Sequence, residues 1–141
     1  MQARLLKRGD KAVAIVGVGK MRHLATTAID ILSAQGIEAT LWDPRIIRPA
    51  DPEMIADLAS HQLVITVEDG LALGGAGSHL AAAIETAASS KGIAGPKIHS
   101  LGVPHQFLSQ GQPDKILASL GLDGIGIAES TITAFAELQA K

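Results

Sequence analysis

Residues 63–79 read LVITVEDGLALGGAGSH. The apolar run Leu63 to Val67 stops at an acidic pair, Glu68 and Asp69, and a glycine-rich turn, Gly74-Gly75-Ala76-Gly77-Ser78, leads into small and apolar residues at helical spacing. A short apolar run bounded by turn signals and followed by a helix reads as a buried strand feeding a crossover helix. In open α/β sheets the carboxyl end of such a strand, beside a helix N-terminus, is where backbone amides and side chains meet ligands or neighbouring subunits.

The flanking sequence repeats the unit. Upstream, Ala12 to Val18 is apolar on both alternating faces, as in a central strand covered by helices on each side. From Met21 to Ala34, Leu24, Ala28, Ile31 and Leu32 recur at helical spacing, and Gly36 suits the left-handed residue that ends a helix. Ile37 to Trp42 is the next expected strand, closed by Asp43-Pro44-Arg45. Asp51 can cap a helix that begins at Pro52, points Ile55 and Leu58 inward and runs to about Ser60. Downstream of the turn, a helix from Gly75 to Ser89 carries Leu80, Ala81, Ile84 and Ala88 on one side, and Lys97 to Leu101 reads as a further strand. Phe107 is expected to plug the core from the loop Gly102 to Gln112, and Pro113 to Leu120 forms a short helix. Asp123 caps a last helix with Ala128, Ile132, Phe135 and Leu138 on one stripe, and Ala3 to Lys7 is a candidate edge strand. Alternating strands and helices imply a mainly parallel sheet between helical layers.

Composition narrows the class. With 141 residues and 47% hydrophobic content, the chain can bury one core, so residues 1–141 are read as one domain. A formal net charge of -2, with cations scattered and no run longer than Lys7-Arg8, leaves no footprint for nucleic acid or an anionic membrane. An aromatic content of 2% removes stacking platforms, and the lack of cysteine removes disulfides and thiolate chemistry. No apolar run approaches the roughly 18 residues of a spanning helix, and the start MQARLLKRGDK lacks a signal peptide's apolar segment. A soluble, cytoplasmic protein is expected.

Candidate chemistry is sparse. Gly17-Val18-Gly19 follows a strand, and Asp43 ends the next one near the distance of a dinucleotide fold's ribose-binding acid. The third glycine of that fingerprint is replaced by Arg22, whose side chain would obstruct close helix–strand packing, so a simple tight turn is preferred. The Gly74 to Ser78 turn could hold an anion on free amides, but no Lys-Ser or Lys-Thr pair follows it as in a phosphate loop. Nor is Ser78 an elbow nucleophile, since Ala76 and Leu80 stand where that motif needs glycine. Glu68 and Asp69 point to opposite faces as strand neighbours, so one of them caps amides or faces an interface rather than forming an acid–base pair. His23, His61, His79, His99 and His105 lack metal-ligand spacing and suit surface or capping roles. Arg45 and Arg48 flank a loop at a strand's carboxyl end, where they either bind a carboxylate or phosphate or are solvated near Asp43 and Asp51.

Four segments, DPRIIRPAD (43–51), VITVEDGLALGGAGSHLA (64–81), LGVPHQFLSQG (101–111) and ILASLGLDGIGIAEST (116–131), occur in this order. This order resembles the C-terminal domain of the transketolase family of thiamine diphosphate enzymes, and within it the 1-deoxy-D-xylulose-5-phosphate synthase branch. The resemblance runs from about Leu5 to Phe135. Gln110, where a histidine is expected, and Asp69, where glutamate is common, depart from the pattern.

The resemblance implies a three-layer α/β sandwich around a five-stranded mixed sheet, mostly parallel, with a short antiparallel first strand at Ala3 to Lys7. It also implies a longer parent that joins pyruvate to glyceraldehyde 3-phosphate, releasing CO2 and yielding 1-deoxy-D-xylulose 5-phosphate for isoprenoid and thiamine synthesis. In the family, thiamine diphosphate and magnesium sit in the first domain and the catalytic glutamate in the second. The chain contains no Gly-Asp-Gly. No catalytic, cofactor or metal residue is therefore carried over, and no cofactor is expected on this chain alone. What remains is an interface or anion-binding turn, Glu68, Asp69, Gly74, Gly75, Gly77 and Ser78, in a domain that pairs as a homodimer and supports the absent N-terminal and central domains. Three alternatives stay open: the equivalent domain of a transketolase or 2-oxo acid dehydrogenase β subunit, a free-standing nucleotide-binding module using Gly17, Gly19 and Asp43, and a pure interaction or regulatory domain that self-associates without binding a small molecule.

Overall fold

A computed structural model describes residues 2–19, 21–68, 75–102 and 122–140. In chain order its elements are β1 (Arg4–Lys7), β2 (Val13–Gly17), α1 (Met21–Ala34), β3 (Thr40–Asp43), α2 (Pro52–Ala59), β4 (Leu63–Val67), α3 (Ala76–Ser90), β5 (Lys97–Leu101) and α4 (Gly124–Gln139). The five strands form one sheet in the order β1-β3-β2-β4-β5. β1 runs antiparallel to β3 at one edge, and the β2–β3, β2–β4 and β4–β5 pairs are parallel.

Every residue of the central strands β2 and β4 is buried, which is why their sequences are apolar on both faces. One face carries Val13, Ile15, Leu63, Ile65 and Val67 and packs against α1 and α4. The other carries Ala14, Val16 and Val64 and packs against α2 and α3 through Met54, Leu58, Leu80 and Ile84. The result is the expected three-layer sandwich. No helix among the described residues is long and apolar enough to cross a membrane.

The capping chemistry follows the sequence closely. Asp51 Oδ1 accepts from Glu53 N at 2.8 Å and from Met54 N at 3.4 Å, with Pro52 opening α2. Its other oxygen accepts from Ala3 N at 2.9 Å, tying the start of the chain to α2. That amide, followed by those of Glu53 and Met54, holds the Asp51 carboxyl below its usual range.

One expectation is corrected and another extended. The third strand begins at Thr40 rather than Ile37. Gly36, at φ +84, closes α1: its amide donates to Ser33 O at 3.0 Å and that of Ile37 to Leu32 O at 2.9 Å. This is the paired hydrogen bonding of a Schellman end, so Ile37 belongs to the helix cap, with its side chain packed on the core. In α4 the expected stripe does pack on the core, Ala128 buried and Ile132, Phe135 and Leu138 half-buried, but the buried ridge also takes in Gly124, Ile127, Thr131 and Ala134. A Cβ on Gly124 would stand 2.5 Å from Thr27 Cγ2, so small residues face α1 and the larger ones are displaced sideways. The readings for Phe107, Gln110 and the helix Pro113 to Leu120 lie outside the described residues.

Candidate functional site

Two β–α turns stand at the carboxyl edge of the sheet. In the first, which follows β4, the backbone continues the ladder for one residue, Glu68 N donating to Leu101 O at 3.0 Å. Val67 points to the α1 and α4 face. Strand alternation therefore sends Glu68 toward the α3 side, where it is 5% exposed. Its Oε2 accepts from Ala76 N at 2.9 Å and its Oε1 from Gly77 N at 3.1 Å. One carboxylate thus fills the N-terminus of α3, where unpaired amides and the helix dipole favour negative charge. Gly75, the N-cap, has no side chain to do this itself. Of the two roles open to the acidic pair, Glu68 takes the capping one; Asp69 and Gly74 lie outside the described residues.

Gly77 lets the start of α3 approach the sheet. A Cβ there would stand 2.7 Å from Thr66 Oγ1 and 2.8 Å from Ser100 Oγ, so the first turn of α3 rests on β4 and β5. Thr66 Oγ1 is buried without a hydrogen-bond partner among the described residues. Glu68 and Gly77 are consumed internally, while Ser78 and His79 are exposed and Gly75 is half-buried.

In the second turn, between β2 and α1, a Cβ on Gly17 would stand 2.7 Å from Arg22 Cα. Arg22 was expected to obstruct close helix–strand packing. Instead that packing is reached with glycine on the strand rather than on the helix, and the Arg22 side chain turns aside to Asp43 Oδ2 at 3.2 Å. Asp43 Oδ1 accepts from Arg45 N at 3.1 Å. Both oxygens of the acid required by a dinucleotide reading are therefore engaged within the chain. Beside them lies a cleft of about 240 Å³, lined by Val18, Gly19, Arg22, Asp43, Arg45 and Ile47. Arg48 is exposed and does not line it.

At the opposite edge the sequence reading missed a polar hub. Asp57 Oδ2 accepts from Trp42 Nε1 at 2.7 Å, and Oδ1 from Lys11 Nζ at 2.6 Å and Arg8 Nη1 at 2.9 Å. Burial pushes this carboxyl up, but the hydrogen bonds from Lys11, Trp42 and Arg8 outweigh it and hold it at about 2. His61 is buried, and its Nδ1 donates to Asp57 O at 2.8 Å, a capping role at the end of α2. Burial holds the imidazole below its ordinary value, and Nε2 has no partner among the described residues. No local motif marks this hub, because its donors come from positions far from Asp57 in sequence. Among the described residues no group of three or more His, Asp or Glu could hold a metal ion.

Comparison with known proteins agrees with this architecture. The family model for the transketolase C-terminal domain matches residues 2–127. The 1-deoxy-D-xylulose-5-phosphate synthase of Chromobacterium violaceum is 38% identical over 127 residues, covering 89% of this chain and 19% of that protein. The synthase of Burkholderia thailandensis is 40% identical over 131 residues, again covering 19% of the relative. The chain thus spans about a fifth of the length of these relatives. Among solved structures, a split gene transketolase described as an inactive beta4 tetramer superposes with a TM-score of 0.80 at 29% identity, covering 96% of this chain and 42% of that one. A transketolase from Pichia stipitis, at 21% identity and a TM-score of 0.63, shares the fold. On the strength of the family match, the sheet order and the antiparallel first strand together, the chain belongs to the transketolase C-terminal domain family.

Proposed function

We propose that this chain is the C-terminal domain of a thiamine diphosphate-dependent enzyme of the 1-deoxy-D-xylulose-5-phosphate synthase type, and that it acts by assembly and support rather than by chemistry. The parent reaction would join pyruvate to glyceraldehyde 3-phosphate with loss of CO2. The observation that carries the reading is the pair of shares in the synthase matches, nearly all of this chain against 19% of the relative. A piece of that size belongs to a larger machine. Thiamine diphosphate and magnesium would be held elsewhere in that enzyme, because the described residues offer no carboxylate or imidazole cluster that fits the metal. No step of the reaction is therefore assigned to a residue of this chain.

Within the reading, the turn formed by Glu68, Asp69, Gly74, Gly75, Gly77 and Ser78 is proposed as the contact surface toward a second copy and toward the domains that precede it. Glu68 and Gly77 hold the turn to the sheet from inside. A backbone so held presents Gly75, Ser78 and His79 outward at little further entropic cost on association.

A domain exchange tests the assignment. The last fifth of the Chromobacterium violaceum synthase is replaced by this chain, and the same exchange is made in the Pichia stipitis transketolase. Glyceraldehyde 3-phosphate-dependent release of CO2 from pyruvate should stay within about tenfold of the parent in the synthase chimera, a loss under about 1.4 kcal/mol. A folded synthase chimera without activity, beside an active transketolase chimera, would overturn the assignment to the synthase branch.

A further inference from the structure

The cleft between the carboxyl ends of β2 and β3 takes no part in the proposed function, yet it is lined by two arginines and a buried, hydrogen-bonded acid. We propose that it binds a small oxyanion, a carboxylate or a phosphate group, between the guanidinium groups of Arg22 and Arg45.

Three observations carry this. First, the cleft is concave and of a size to hold a group of several heavy atoms, about 240 Å³, and Arg22 and Arg45 both line it. Second, the acid at its base is already satisfied. Asp43 is 4% exposed and divides its two oxygens between Arg22 Nη1 and Arg45 N. It neutralises one of the two cations and steadies both residues, leaving the cleft with a net positive charge. A guanidinium carries five N–H donors in a planar fork that matches an oxyanion, and Asp43 takes one from Arg22. Third, Arg45 adopts φ +60, a left-handed conformation that residues other than glycine, asparagine or aspartate visit rarely. The hydrogen bond that its backbone N–H donates to Asp43 Oδ1 holds the backbone there, and Arg45 lines the cleft. Asp43 is 4% exposed and already bonded to Arg22 and to the Arg45 amide, so the donors that face the cleft are cationic and suit an anion better than a ribose diol.

Titration of the intact, isotopically labelled chain with sodium phosphate and, separately, with sodium acetate tests the site. Backbone amide shifts are followed at constant ionic strength, with sodium chloride as the control. Saturable shifts confined to residues around Val18, Gly19, Arg22, Arg45 and Ile47 are expected with one of the two anions, and the tighter one identifies the class. Arg45→Gly removes the guanidinium at a backbone conformation that glycine adopts freely, so the fold is retained while binding weakens by about tenfold or more. Arg22→Gln should weaken it comparably. Shifts that are non-saturating, or equal in chloride, or unchanged in both variants, would overturn the proposal.

Discussion

The two β–α turns at the carboxyl edge solve one packing problem in opposite ways. Each must bring a helix onto the sheet closer than a Cβ allows. After β2 the missing Cβ is on the strand, at Gly17, and the clash it avoids is with helix backbone, Arg22 Cα at 2.7 Å. After β4 the missing Cβ is on the helix, at Gly77, and the neighbours are strand side chains, Thr66 and Ser100. The acids differ in the same sense. Glu68 accepts from the amides at the start of α3, whereas Asp43 bridges to two arginines beside a cleft. A glycine pattern thus reports that a helix approaches closely, and only the acid's partner distinguishes a carboxylate spent on a helix N-terminus from one that lines a cleft.

The largest expected effect falls on the strand glycine. Gly17→Ala should destabilise the chain by about 3 kcal/mol in urea unfolding, since helix backbone cannot move aside without displacing α1. A loss below about 1 kcal/mol would remove the distinction drawn between the turns. Gly77→Ala should cost less, about 2 kcal/mol, because a serine and a threonine side chain can partly yield. Glu68→Ala should cost about 1–2 kcal/mol, leaving two amides at the start of α3 without their acceptor, and hydrogen exchange at Ala76 and Gly77 should accelerate.

Acid separates this edge from the opposite one. Burial keeps the folded His61 imidazole below its free value of 6.5, so the unfolded chain binds that proton more readily; the stability it contributes is complete above 6.5 and declines as pH falls through that value. Asp57, held at about 2 against a free value of 3.8, adds a second loss between those two values, of about 1–2 kcal/mol after allowance for its half-exposed partners. His61→Asn should flatten the first phase of a stability–pH profile and Asp57→Asn the second. The smallest effect is expected at Arg45→Gly, within about 0.5 kcal/mol of the parent, since an exposed side chain is lost while a left-handed backbone position is relieved.

Much of this was legible from spacing. α1, β4 and β5 have the bounds read from apolar periodicity, and Asp51-Pro52 marks the start of α2, because these signals are local. What escaped the sequence depends on partners distant along the chain. Ile37 looks like a strand residue until its amide is seen to close α1. Arg22 looks like an obstruction until Gly17 is seen to make the room. That one member of the Glu68–Asp69 pair would cap amides could be foreseen, but not that a single carboxylate would satisfy both Ala76 and Gly77. The Asp57 hub, gathered from Arg8, Lys11 and Trp42, left no trace in any local pattern.

The proposal that the turn after β4 serves assembly is tested most directly by sedimentation velocity of the wild-type chain and Gly75→Arg. Gly75 has φ −86, which arginine adopts without strain, so the variant should keep the parent's circular dichroism and thermal melt. The wild type is expected to sediment as a self-associated species and the variant as a monomer. A wild type that remains monomeric, or a variant with an unchanged sedimentation coefficient, would contradict the assignment of this turn as the contact surface.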